Sequence, residues 1–240
     1  MYYLLMISLL YTAHTFCAHS KKSTTAAGHT STLQKVKQQV SQAELTVALR
    51  NGIKRGNAEE IRQALHAGAN PYYTLPDEHG EIRAGLIVDI PKSCVRSDVL
   101  DCFKRYLNKY DNQGRTFLAH ALEMKMTDLA QALLKAGANA NVTSPTYPNR
   151  PLEIASFLGQ IAIVTTLIKN YRAQVNARGV NNMTALHQAA MAGQTAVVRL
   201  LVGSGADKSL KDTDHKTAYD YAQEFHPENE ALVMILKCKR

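Results

Sequence analysis

The residues of this chain that could do chemistry stand apart from one another. Of its nine histidines, His66, His79, His120, His187 and His215 have no carboxylate or thiol at a metal-ligand spacing, so each reads as a structural or solvated side chain. Gly203-Ser204-Gly205 has the small residues of a phosphate cradle but neither the preceding strand nor the third glycine that one needs. Asp98 and Asp101 lie one helical turn apart, and a lone acidic pair on a helix is ordinarily a wetted face, not an acid–base couple. Asn141-Val142-Thr143 and Asn182-Met183-Thr184 match the N-glycosylation pattern, which matters only on a eukaryotic secretory route; chance is the better reading. The four cysteines, Cys17, Cys94, Cys102 and Cys238, form neither a disulfide framework nor a paired zinc motif. A Cys94–Cys102 bridge is open to the chain in an oxidising compartment, with buried free thiols the favoured alternative. These patterns point away from an enzyme, and no cofactor or metal is expected.

The elements that hold these residues are helical in character. With 240 residues, 45% of them hydrophobic, the chain can bury a core, and the absence of Trp together with 7% aromatics favours helices packed through small side chains. The net charge of +8 would draw acidic proteins, anionic lipid or nucleic acid without choosing among them. Much of the excess falls in the first third, where Lys21, Lys22, Lys35, Lys37, Arg50, Lys54, Arg55 and Arg62 face only Glu44, Glu59 and Glu60; Lys237, Lys239 and Arg240 end the chain. Solvated faces that maintain solubility are the ordinary reading of such runs.

The apolar run from Met1 to Ala13 is too short for a bilayer span of about 20 residues and suits the centre of a secretory signal peptide, with Ala18-His19-Ser20 as a small-x-small cleavage site. An uncleaved anchor and a disordered tail are the alternatives, because no Lys or Arg precedes the run and Lys21 and Lys22 lie beyond it. Residues 1–20 are therefore read as a signal peptide, giving an exported or secreted protein, or a membrane-anchored one if the run is retained. Residues 21–32, rich in Ser, Thr, Ala and Gly, read as a flexible linker. From Leu33 a stripe of Leu33, Val36, Val40, Ala43 and Val47 predicts a helix, its segment 33–42 acting as an N-terminal cap on the rest of the chain.

A period of 33 to 34 residues then takes over. Its clearest unit is Thr184-Ala185-Leu186-His187-Gln188-Ala189, continued by Val197, Val198, Leu200 and Leu201 and closed by Gly205-Ala206-Asp207. The same frame appears as Asp111-Asn112-Gln113-Gly114-Arg115-Thr116-Phe117-Leu118 with Gly137-Ala138-Asn139, and Thr116, Arg150, Thr184 and Thr217 fall in register. This pattern resembles the ankyrin repeat, whose T-P-L-H-x-A signature opens the first helix of each unit. The resemblance implies an all-α solenoid of stacked helix-turn-helix units with short β-hairpin turns. Six repeats are predicted, over about 43–76, 77–110, 111–144, 145–178, 179–211 and 212–240. The second is degenerate, keeping only Asp77-Glu78-His79-Gly80 and the apolar set Val99, Leu100, Phe103 and Leu107. Small residues such as Ala121, Ala155, Ala189 and Ala190 should let first helices approach, while Gly68, Gly137 and Gly205 should end second helices at positive φ. Three departures stand out: Asn182 replaces a turn glycine, Arg150 a capping Thr, and Tyr171-Arg172-Ala173-Gln174 the Gly-Ala-Asp exit, with one extra residue.

The resemblance also implies where a partner binds: on hairpin tips and the concave face of the first helices. Carried over residue by residue, it selects Met124, Phe157, Leu158, Met191 and Phe225 at the helix ends and Arg115, Tyr147 and Asn181 at the hairpins. Because Leu118, Leu152 and Leu186 already fill the buried places, Met124, Phe157, Leu158 and Met191 are expected outside the stack. The expected function is non-enzymatic binding of a protein, by a monomer. An electrostatic adaptor for nucleic acid or anionic membrane, resting on the basic first third, is the alternative, and a structural spacer the third possibility; binding that falls steeply with salt would mark the adaptor.

Overall fold

The computed structural model describes residues 42–72, 90–91, 95–111, 113–144, 146 and 148–237. The chain divides into Met1–Ser41 and Gln42–Arg240, and every described residue belongs to the second unit. The expected signal peptide over 1–20, the linker over 21–32, most of the capping helix over 33–42, most of the first helix of the second repeat, Tyr147, Cys94 and Cys238 lie outside the described residues.

Helix α1 runs over 42–55 and turns through Gly56 into α2 (Ala58–His66), which Asn57 caps by accepting from the Glu59 and Glu60 amides at 3.1 and 3.3 Å. The degenerate repeat contributes α3 (Ser97–Asp101) and a 3-10 turn, Lys104–Tyr106. Four regular pairs complete the array: α4 (Phe117–Glu123) with α5 (Thr127–Lys135), α6 (Pro151–Phe157) with α7 (Ile161–Tyr171), α8 (Ala185–Met191) with α9 (Thr195–Gly203), and α10 (Ala218–Phe225) with α11 (Glu230–Leu236). First helices pack on first helices, α4 on α6 on α8 on α10, and second helices form the parallel series α5, α7, α9, α11. No strand occurs among the described residues. The turns between repeats close through single backbone bonds, Asp111 N–H to Arg115 O at 3.0 Å, Gly179 N–H to Met183 O at 2.8 Å and Asp212 N–H to Lys216 O at 3.0 Å. None of the described helices is long and apolar enough to cross a membrane.

Residue type explains the stack. Ala121, Ala155, Ala189, Ala190 and Ala222 are fully buried, so facing first helices meet with only methyl groups between them, while Leu118, Leu152 and Leu186 fill the space behind. Where the degenerate repeat lacks small residues, aromatics take over: Tyr72 stacks on Phe117 at 4.3 Å and Phe103 meets it edge-on at 6.1 Å. Val99, Leu100, Phe103 and Leu107 are all buried there. Cys102 is half-buried and free, its thiol 3.2 Å from Asp98 O.

The second helices exit through residues of positive φ, Gly68 at 100°, Gly137 at 106° and Gly205 at 89°, and Arg172 adopts 51° at the corresponding place. The extra residue there widens the turn: Ala173 N–H reaches back to Leu167 O, whereas Ala138 N–H reaches Leu133 O. Asn182 takes the left-handed turn at φ 59°, as its side chain permits, and Asn181 does so beside it at 53°.

Neighbouring repeats are also stapled by a ladder of asparagines. Asn108, Asn141 and Asn176 accept from the amides of Asn139, Gln174 and Asp207 at 2.8 to 2.9 Å, and their own amide groups donate to Gly137 O, Arg172 O and Gly205 O. Each one thus satisfies a donor and a carbonyl that the exit of the next repeat would otherwise leave to water.

Candidate protein-binding surface

The hairpin turns are fixed before any surface can be built on them. In the repeat at 111, Asp111 Oδ1 accepts the Gln113 and Arg115 amides at 2.8 Å each, and Oδ2 takes the His120 Nε2–H at 2.7 Å. In the repeat at 212, Asp212 Oδ1 accepts the Asp214 and Lys216 amides at 2.9 Å each, and Tyr221 donates its hydroxyl to Oδ2 at 2.6 Å. One carboxylate therefore ties each turn to the helix behind it. Burial works against the charge on Asp111, but the Arg115 amide, His120 and the Gln113 amide outweigh it and hold the carboxyl below its usual range. Burial holds His120 and His187 below the ordinary imidazole value, so both are neutral spacers and not acid–base groups. His187 accepts the Thr184 amide on Nδ1 at 3.1 Å, and its Nε2 lies 3.2 Å from Lys216 O of the next hairpin.

The third helical position repeats this capping theme with different chemistry. Asp220 accepts from the Thr217 amide at 2.7 Å, and Glu153 accepts from the Arg150 amide at 3.1 Å, with Pro151 supplying a first residue that needs no partner for an amide hydrogen. Glu153 is the unusual member because its carboxyl is buried. Burial pushes it up to about 7, against the pull of the Arg150 amide and guanidinium, the latter at 3.4 Å. Gly179 of the next turn makes room for it, since a Cβ there would meet Glu153 Oε2 at 2.1 Å.

On this frame each repeat pairs the residue before its first helix with one eight positions later, at the helix end. In the outer repeats the pairs are ionic, Arg115 with Glu123 at 3.4 Å and Lys216 with Glu224 at 2.5 Å. The two between them carry Asn149 and Phe157, and Met183 and Met191, at these positions, with Met183 buried in the core. The face thus has an apolar middle between two charged flanks. A groove of about 400 Å³ opens there, walled by Ile154, Phe157, Leu158 and Met191, with Glu123, Asn149, Glu153 and Gln188 as its polar lining.

The expected binding residues divide into three groups. Met124, Phe157 and Phe225 are exposed, at 62%, 43% and 51%. Leu158 and Met191 are half-buried and packed against the core, a correction to the expectation that all four apolar residues of the ladder stand clear of the stack. The reason is that the last turn of α6 and of α8 leans on the neighbouring repeat, so these side chains are groove walls on one side and packing on the other. Arg115 is half-buried and held by Asp111 and Glu123, whereas Asn181 is exposed on its turn with its carbonyl accepting from Thr213 N–H at 3.0 Å. The sequence reading missed Glu153 and Gln188; the register held the signal, since Glu153 falls 34 residues before His187 in the same frame.

Among the described residues no group of three or more His, Cys, Asp or Glu side chains is placed to hold a metal ion. Of the described basic residues in the first third, Arg55 and Arg62 are paired with Glu60 and Glu59, which shortens the reach of their field.

Stacked helix pairs with glycine-ended second helices and a recessed face on the first helices define a repeat scaffold. A model of ankyrin repeats in three copies matches residues 92–179 and 152–239, and the chain belongs to the ankyrin-repeat family. It is similar to alpha-latrocrustotoxin-Lt1a of Latrodectus tredecimguttatus, 30% identical over 140 residues that make up 55% of this chain and 10% of the toxin. It is also similar to NF-kappa-B inhibitor alpha of Sus scrofa, 29% identical over 164 residues covering 64% of this chain and 52% of that protein. With B-cell lymphoma 3 protein of Homo sapiens it shares 32% identity over 165 residues, 65% of this chain and 35% of the relative. The chain spans about half or less of the length of each of these relatives.

Proposed function

We propose that this chain is a non-enzymatic interaction module that holds a partner protein on the concave face of its first helices. The observation that carries the reading is the groove of about 400 Å³ with Phe157 and Met191 in its walls and the Arg115–Glu123 and Lys216–Glu224 pairs on either side. Binding energy in protein interfaces concentrates in a central apolar cluster whose polar rim excludes water, and this surface has that layout before any partner arrives. Ankyrin relatives whose names describe inhibition of another protein lend support. The apolar run at Met1 to Ala13 supports export as the setting in which this binding takes place.

The test is site-specific photocrosslinking in the native host, with a benzophenone side chain at position 157, 124 or 225 and, as a control, at exposed Arg199 on α9. A covalent adduct to one protein from position 157, absent from position 199, is the expected result. Adducts to nucleic acid or lipid, formed equally from all positions and lost at moderate salt, would replace this reading with the electrostatic one.

A further inference from the structure

The groove's polar lining has one sign. Glu123 and Glu153 bring carboxyl oxygens, and Asn149 Oδ1 is shielded from solvent with no hydrogen-bond partner. None of the groove's lining residues is a lysine or arginine, although the chain as a whole carries a net charge of +8. A shielded acceptor without a partner is rare in a folded protein, and one that lines a recess is a place where a donor is missing. A purely apolar occupant would make matters worse by sealing the Asn149 oxygen away from water unpaired. The walls set the other half of the requirement, because Phe157, Leu158, Ile154 and Met191 favour a hydrocarbon stem between mouth and floor.

Resting on the reading of this face as a protein-binding surface, we propose that the groove receives a cationic side chain, an arginine or a lysine, projecting from the partner. Its methylenes lie between Phe157 and Met191, and its head donates to Glu123, Asn149 Oδ1 and Glu153. The head exchanges its water for charge-assisted hydrogen bonds, and the stem gains apolar contact along the walls. The face of the Phe157 ring adds attraction for the cation as it passes. Arg115 is already paired with Glu123 and Arg150 with Glu153, at 3.4 Å each, so the incoming head joins these pairs and supplies the donor that Asn149 Oδ1 lacks.

The experiment pans a phage-displayed library of random dodecapeptides against the full chain and keeps clones whose synthetic peptides bind it but bind Phe157→Ala at least about tenfold more weakly. These groove-dependent peptides are expected to share an arginine or lysine. At pH 8, where Glu153 is ionised, replacing that arginine or lysine with citrulline or norleucine should weaken binding at least about tenfold, as should Glu123→Gln or Glu153→Gln in the protein. The neutralised peptides should bind the wild-type protein and both Gln variants alike. Glu123 is near the surface, so Glu123→Gln keeps the test valid if Glu153→Gln disturbs the fold. Groove-dependent peptides that tolerate loss of their charge, or that ignore both Gln variants, overturn the cation proposal and leave the protein-binding reading standing. Failure to recover any peptide sensitive to Phe157→Ala overturns both.

Discussion

Replacing Glu153 by Gln should change how the stability of this protein depends on pH, and the direction is set by its burial. The carboxyl sits at about 7 in the fold against an ordinary value of 4.5. A raised folded value means that the fold keeps a proton which the unfolded chain has released. The stabilisation is thus fully present below pH 4.5 and is lost as pH rises towards 7. At about 1.4 kcal/mol for each pH unit, the gap amounts to about 3 kcal/mol. A glutamine side chain cannot titrate yet still accepts the Arg150 amide, so the Glu153→Gln variant lacks this slope. His120 and His187, held below their ordinary value, act with opposite sign, since their contribution is present above pH 6.5 and lost as pH falls through their folded values. They are common to both proteins and cancel in the difference. Urea unfolding monitored by circular dichroism at pH 5, 6, 7 and 8 is the assay. Wild type should lose about 2 to 3 kcal/mol relative to Glu153→Gln across that range. Parallel stability curves would show that Glu153 is ionised in the fold, and the argument from its burial would be wrong.

Leu186→Ala should destabilise by about 2 to 5 kcal/mol by opening a cavity between first helices, whereas Phe157→Ala, with nearly half its surface already in water, should cost no more than about 2 kcal/mol; thermal melts of the two variants decide. Asn176→Ala removes an acceptor from Asp207 N–H at 2.9 Å and a donor to Gly205 O at 3.1 Å, and should cost about 1 to 2 kcal/mol with faster amide exchange at Asp207 than in wild type. Gly137→Ala places a Cβ in open space but at φ 106°, so its expected loss of about 1 to 2 kcal/mol is a backbone effect alone. Arg172→Gly should go the other way, by about 0.5 kcal/mol, since the residue already holds φ 51°; urea midpoints that move in the same direction for both would refute the assignment of Arg172 to the glycine position.

The sequence displays what every repeat must share and hides what is particular to one place. Thr116, Thr184 and Thr217 announce helix starts because capping is a local transaction between a side chain and an amide three residues on. Gly68, Gly137 and Gly205 announce helix ends because positive φ restricts residue type strongly. The half-burial of Leu158 and Met191 was not legible, since it depends on how the last turn of one helix leans on the next repeat, and no local pattern encodes that. The asparagine ladder lay in plain view as a near-regular spacing of Asn108, Asn141 and Asn176, yet polar residues in turns carry so many ordinary explanations that spacing alone does not single them out. Glu153 is the converse case: it stands at the position of His187 in the frame, a signal that the sequence reading left unused.

Why, then, is the middle of the first-helix face apolar at all? Folding does not demand it. Met183 belongs to the buried core and Met191 packs against it, but Phe157 is exposed, and the repeats at 111 and 212 fill its position with Glu123 and Glu224. Ion pairs so near the surface contribute only about 0 to 1 kcal/mol, so the stack would tolerate a charged residue at exposed position 157 as readily as at 123 or 224. Instead the centre carries Phe157, 43% exposed, beside Met191, and a recess with a buried carboxyl and an unpartnered amide oxygen beneath them. Each of these features costs solvation in the free protein. The proposed occupant, with an apolar stem and hydrogen-bond donors, would offset the exposure of Phe157 and the unpartnered Asn149 oxygen together, which is the physical case for testing the proposed function at these positions.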